Sequence, residues 1–134
     1  MRTSKGEQKV ASLLKRNGIP FKTEIMFRGL VGKKHVQLRY DFAIIKNNKV
    51  FILIEVDGRQ HYEYIKHFHK NYSGFLRSQE RDRVKNKFAL INNIPLIRIP
   101  YWDLDTLTFE KIFNTSEYRV KSKYHLDYLR NGRC

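Results

Sequence analysis

The sequence predicts an α/β fold: a mixed β-sheet flanked by helices, in the order α-β-β-β-α-β. Three observations carry this. Val50–Val56 (VFILIEV) is an apolar run of strand length and belongs at the centre of a sheet. Ser4–Asn17 and Gln79–Asn92 carry apolar residues at helical spacing. A short Asn-Asn turn joins the central run to the strand before it, whereas a helix-length segment joins it to the strand after it. The first neighbour is therefore antiparallel and the second parallel.

Each element has its own signal. In Ser4–Asn17, Val10, Leu13 and Leu14 share a face, and Gly18 stops the helix ahead of Pro20. Ser4 and Glu7 form an S-x-x-E capping pair. Phe21–Phe27 reads as a strand, Arg28–Lys34 as a basic loop with Gly29 and Gly32, and Val36–Ile45 as a second strand. Lys46–Lys49 is a turn, because Asn tolerates left-handed backbone. Asp57–Ser78 is a polar, His- and Tyr-rich irregular region. In Gln79–Asn92, Val84, Phe88 and Ile91 lie on one face, and Ile94–Ile99 is the fourth strand. Thr106–Phe113 forms a short helix, and a basic, tyrosine-rich tail begins at Glu117. With no internal repeat and 3 prolines, residues 1–134 read as a single domain.

Charge points to the partner. Lys and Arg total 27 against 13 Asp and Glu, a formal net charge of +14. That excess favours a polyanion, nucleic acid ahead of an anionic membrane. No apolar run is long enough to span a bilayer, and the polar start MRTSKGEQKV lacks the core of a secretory signal, so a cytoplasmic protein is expected. The single cysteine, Cys134, is the last residue and supports neither an internal disulfide nor a Cys-rich zinc site.

Carboxylates interrupt strands that should be apolar. Glu55 lies in the central run and Asp41 in its partner, and a buried carboxylate needs a cation or hydrogen bonds. Folding the hairpin about Asn48 sets the two nearly opposite each other, where a divalent cation would relieve their repulsion. Oxygen ligands suit Mg²⁺, with Mn²⁺ able to substitute, and not zinc. Gly58 turns the chain at the strand end, so His61 projects from a loop at the mouth of the sheet, able to move protons near neutral pH. Asp82 is placed in the first turn of the second long helix. There it either complements the helix dipole or orients His61. Glu7 has an equally plain alternative as a cap.

These residues together resemble a known family. Asp41, the strand ending in Glu55–Gly58 (EVDG), Gln60-His61, Arg81-Asp82 and Asn93–Pro100 (NIPLIRIP) are similar to the Vsr-type (very-short-patch-repair-like) branch of the PD-(D/E)XK nuclease superfamily, which includes phage homing endonuclease domains. The resemblance covers roughly Ser4 to Asp103. It implies a restriction-endonuclease-like core and a Mg²⁺-dependent DNA endonuclease of homing or nicking type, in a bacterial or phage-infected cell. It implies that Asp41 is the principal metal ligand. Glu55 then occupies a variable position that offers the metal a side chain or a carbonyl. His61 transfers protons, Asp82 pairs with it, and Glu7 reaches the site from the first helix through water. Asp57 falls where the broader superfamily has lysine, which shifts proton transfer to His61. Arg59 and Gln60 replace the aromatics that mismatch-repair members insert into DNA, so no mismatch preference is expected.

Lys33, Lys34, Arg39, Arg59, Gln60, Lys66, Lys70, Arg77, Arg81 and Arg83 are the residues expected to meet DNA, most simply a duplex. A chain this small is expected to gain sequence specificity from a homodimer or a partner DNA-binding module. A junction- or flap-cutting nuclease, a non-catalytic DNA-binding module and an RNA-directed domain are the competing readings.

Overall fold

A computed structural model describes residues 3–132, with the backbone alone at 131 and 132; Cys134 lies outside the described residues. The fold is α/β, a four-stranded mixed sheet flanked by helices. Its strands are β1 (Phe21–Ile25), β2 (Tyr40–Lys46), β3 (Lys49–Asp57) and β4 (Leu96–Pro100), in the spatial order β1-β2-β3-β4. The pairs β1–β2 and β2–β3 are antiparallel and β3–β4 is parallel; the short turn after β2 and the helix-length connection after β3 dictate the latter two. The helices are α1 (Lys5–Arg16), α2 (Lys66–His69), α3 (Tyr72–Ile91), α4 (Phe109–Asn114) and α5 (His125–Gly132).

Side chains alternate along the strands and build two cores. On one face Val10 and Leu14 of α1 pack with Phe42, Ile44, Ile54, Val56, Ile97, Ile99 and Ile112 of α4. On the other, Tyr40, Ala43, Leu53 and Leu96 meet Ala89 of α3, with Val84 and Phe88 against them. Gly6 lets α1 press close to the first face: a Cβ there would lie 2.9 Å from Val56 Cγ1 and 2.8 Å from Leu104 Cδ1.

The boundaries depart from the sequence reading in instructive places. β2 starts at Tyr40, not Val36, because Lys33–His35 forms a 3-10 turn with left-handed backbone at Lys34 and His35 (φ 57° at each). The segment 57–78 is not irregular throughout. It holds α2 and the first two turns of α3, which begins at Tyr72 behind the cap Asn71, whose side chain accepts from the Gly74 amide at 2.9 Å. Asp82 therefore stands in the middle of a 20-residue helix, and the helix dipole does not account for it. The Asn47-Asn48 turn forms as expected, with φ of 52° and 60°. The basic tail forms a 3-10 turn at Ser116–Tyr118 and then α5. Among the described residues no helix is long and apolar enough to cross a membrane.

Gly74 decides where α3 starts. A Cβ there would lie 2.1 Å from the His69 carbonyl oxygen. Gly74→Ala should therefore lower stability by about 1–2 kcal/mol, although alanine favours helix by about 1 kcal/mol. Urea unfolding checks the sign.

Candidate active site

The site begins where the sheet forks. The hairpin pairs Lys46 with Lys49 and Ile45 with Val50; a bulge between Ile44 and Ile45 then shifts the register so that Ile44 faces Ile52 and Phe42 faces Ile54. That one-residue shift brings Asp41 opposite Glu55. Beyond Phe42 and Ile54 side chains replace the ladder. The Val56 amide donates to Asp41 Oδ2 at 2.8 Å, and the Asp41 amide donates to Glu55 Oε2 at 3.2 Å. These bonds hold both carboxylates in place.

Asp41 does not share its oxygen cluster with Glu55. Ligand atoms of Glu7, Glu24 and Asp41 lie within 4.8 Å of one another, each residue partly buried. Glu55 instead turns toward α3, where Lys85 Nζ contacts its Oε1. Glu24 takes the place the sequence reading gave to Glu55, and it holds left-handed backbone inside β1 (φ 52°), a conformation costly for a residue with a side chain. Ser4 caps α1, its hydroxyl accepting from the Glu7 amide at 3.1 Å, while the Glu7 carboxylate accepts from that hydroxyl at 3.0 Å and joins the cluster. Burial first, and the Asp41 charge second, raise its carboxyl pKa. Three crowded, hard oxygen donors are of the kind that could hold Mg²⁺ or Mn²⁺.

On the α3 face, the ends of β3 and β4 carry a polar row. Asp82, Lys85 and Asn86 project from one face of α3 at helical spacing toward Glu55, Asp57 and Arg98. Arg98 is fully buried. Its Nη1 donates to Asp57 Oδ1 and its Nε to Asn86 Oδ1, each at 2.7 Å. Asp82 receives His61 Nδ1 at 3.1 Å and Arg130 Nη2 at 2.9 Å. Arg130, from α5, also donates to the His61 carbonyl at 2.7 Å and to Asp127, which Arg83 of α3 holds in turn. The pairing of His61 with Asp82 thus forms as expected, and Asp57 stands 3.7 Å from the same ring nitrogen.

Electrostatics drives two neighbours in opposite directions. Burial alone would lower the His61 pKa, but Asp82 and then Asp57 outweigh it and raise it to about 9. Burial lowers that of Lys85 to about 7, helped by Arg98 and opposed by Asp41 and Glu24. With Nδ1 committed to Asp82, Nε2 is the ring nitrogen left for substrate. Gln60, His61, Arg81, Asp82 and Lys85 line one cavity of about 280 Å³.

The residues expected to meet DNA divide into groups. Gln60 and Arg81 line the cavity. Lys34, Arg39, Lys66, Lys70 and Arg77 are exposed. Lys33 pairs with Glu80 at 3.2 Å, Arg59 with Glu63 at 3.0 Å and Arg83 with Asp127 at 2.9 Å. Arg83 is thereby drawn into the support of the site rather than its outer surface. Four members escaped the sequence reading. Glu24 and Arg98 carry the signal that exposed Asp41 and Glu55, a charge inside an apolar strand, and Lys85 follows Asp82 by one helical turn. Arg130 has no such signal.

Comparison with known proteins finds viral relatives. The chain is 39% identical over 66 residues to "Uncharacterized protein 307L" of Invertebrate iridescent virus 6, covering 48% of this chain and 34% of that protein. It is 33% identical over 55 residues to "Uncharacterized protein 033L" of Invertebrate iridescent virus 3 (41% and 28%). It is 49% identical over 49 residues to "Uncharacterized protein 094L" of Frog virus 3 (isolate Goorha) (36% and 32%). The matched segments thus span about a third of each relative, at most 34%. No protein-family profile and no solved structure matches the chain.

The raised His61 pKa has a measurable consequence. By NMR the His61 ring should titrate near pH 9, and Asp82→Asn should lower that midpoint by about 1–3 units. Because the native value exceeds the unfolded one, the stabilisation from His61 is complete below about pH 6.5 and is lost as pH rises through about 9. The stability difference between the protein and His61→Gln should shrink over that window.

Proposed function

We propose that this protein is a Mg²⁺-dependent DNA endonuclease with a restriction-endonuclease-like core, akin to the Vsr-type branch of the PD-(D/E)XK superfamily. The observation that carries the reading is the convergence of two chemistries on one end of the sheet. A carboxylate cluster of Glu7, Glu24 and Asp41 sits at the β2–β3 fork. From the same fork Glu55 reaches Lys85, which shares a cavity with the His61–Asp82 pair. A plain DNA-binding module has no use for a strained Glu24, or for a half-buried lysine beside a buried glutamate.

Glu7, Glu24 and Asp41 would hold the cation, which supplies Lewis-acid polarisation of a phosphoryl oxygen. The chain's own groups then divide the proton traffic. Water attacks phosphorus as its proton passes to a base, a role that suits Lys85, whose pKa burial lowers to about 7. The P–O bond to the leaving oxygen breaks as His61, charged at neutral pH, donates its proton to that oxygen. Asp82 holds the imidazolium in orientation and Arg130 fixes Asp82. Arg81 and Gln60 meet the phosphate backbone from the cavity wall. The net charge of +14 draws the polyanion in.

Purified protein should nick supercoiled plasmid with Mg²⁺ or Mn²⁺ and not after chelation. Asp41→Asn should reduce the rate on the order of 100-fold or more while DNA binding persists. Glu24→Gln should raise the Mg²⁺ concentration required, and an unaltered requirement would remove Glu24 from the donor set. Losses in His61→Ala and Asp82→Ala should be less than additive in the double variant, since a coupled pair acts as one unit. Affinity for DNA should fall steeply with salt through counterion release.

A further inference from the structure

Two cavities open on the same stretch of α3, and Arg81 lines both. The catalytic cavity has Phe68 in its wall. The second, about 290 Å³, lies between α3 and the segment Gly32–Val36; Val36 and Val84 line it with Lys33, Lys34, Arg77 and Arg81. Its one carboxylate, Glu80, is matched by Lys33. Phe68 is 60% and Val36 57% exposed, so each cavity offers apolar surface next to cations. The left-handed backbone at Lys34 and His35 marks the turn that shapes the second cavity, and strain of that kind gathers at binding sites.

The alternation of surfaces selects the ligand. A duplex presents phosphates outside and keeps its bases stacked. It would engage the cations and leave Phe68, Val36 and Val84 facing charge. An unpaired strand presents base faces and phosphates in turn. Small-ligand pockets run from roughly 300 to 1,000 Å³, and these two, at about 290 and 280 Å³, fall just under that range, a size for one nucleotide rather than a longer ligand. We propose that the site takes an unpaired DNA strand. One base lies on Phe68, the phosphate that follows crosses Arg81, and the next base enters the cavity between Val36 and Val84. The inference rests on the nuclease reading and names its substrate as DNA with an unpaired segment, such as a splayed arm or flap.

Binding by the Asp41→Asn protein, followed by fluorescence anisotropy without divalent metal, tests this apart from cleavage. The probes are a labelled oligothymidylate, a splayed-arm duplex and a blunt duplex of equal length. The first two should bind about tenfold or more tighter than the blunt duplex, the scale of one stacked base. Phe68→Ala and Val36→Ser, each at an exposed position and checked for folding by circular dichroism, should cut that preference to about threefold or less. Their affinity for the blunt duplex should stay within about twofold. A blunt duplex bound as tightly as the unpaired strand overturns the proposal, as does an equal loss for all probes in both variants. A clear strand preference in a protein that never cuts plasmid with Mg²⁺ sinks the nuclease reading and sustains the binding site.

Discussion

A guanidinium with no contact to water organises the molecule. Arg98 sits on β4, and its donors go to Asp57 on β3 and to Asn86 and the Asp82 carbonyl on α3. A buried charge left without partners costs several kcal/mol, so these three elements are held in one register. Asp82 is then set where His61 and Arg130 meet it, and α3 is placed so that Lys85 reaches Glu55. The polar row stands or falls as a unit, because each member is the counter-charge or hydrogen-bond partner of another.

The row also separates two proton affinities within one cavity. Anionic neighbours surround the imidazole, so it keeps its proton; burial and a nearby guanidinium press on the amine, so it releases one more readily. Titratable groups driven apart in this way are how a fold provides an acid and a base at one pH. The three-carboxylate cluster lies across the fork from them and shares no side chain with the row. Asp41 and Glu55 join the two across the fork, each carboxylate accepting from a backbone amide of the other strand.

Much of this was legible in the residues. The apolar run of β3, the Asn-Asn turn and the connection lengths predict the sheet, and two acids in strands predict that Asp41 and Glu55 lie opposite each other, though not that they turn to different partners. The fork, however, also needed a bulge, which no residue type announces; Phe51, the extra residue, is an ordinary strand former. The start of α3 was hidden for a physical reason. Its first turns contain Ser73, Gly74 and Ser78, poor helix formers, and its buried face changes from Asp82, Lys85 and Asn86 to Phe88 and Ala89. A search for apolar periodicity sees only the second half. Glu24 and Arg98 carry a visible signal, charge within an apolar strand, but no turn places either opposite a second charge in the way that the Asn-Asn turn places Asp41 opposite Glu55. Arg130 and α5 were not legible, since a contact between distant chain segments leaves no local pattern.

That contact ties chemistry to the order in which the chain is made. The ion pair to Asp82 comes from a residue 48 positions later, and the bond to the His61 carbonyl spans 69. Synthesis proceeds from the amino end, so β1–β4 and α3 emerge from the ribosome before the counter-charge that completes their polar row. Until residue 130 arrives, Asp82 lacks the guanidinium that anchors it and His61 the donor that holds its backbone. The pairing of His61 with Asp82 reaches its final arrangement only when α5 docks, which builds a delay into the completion of the polar row.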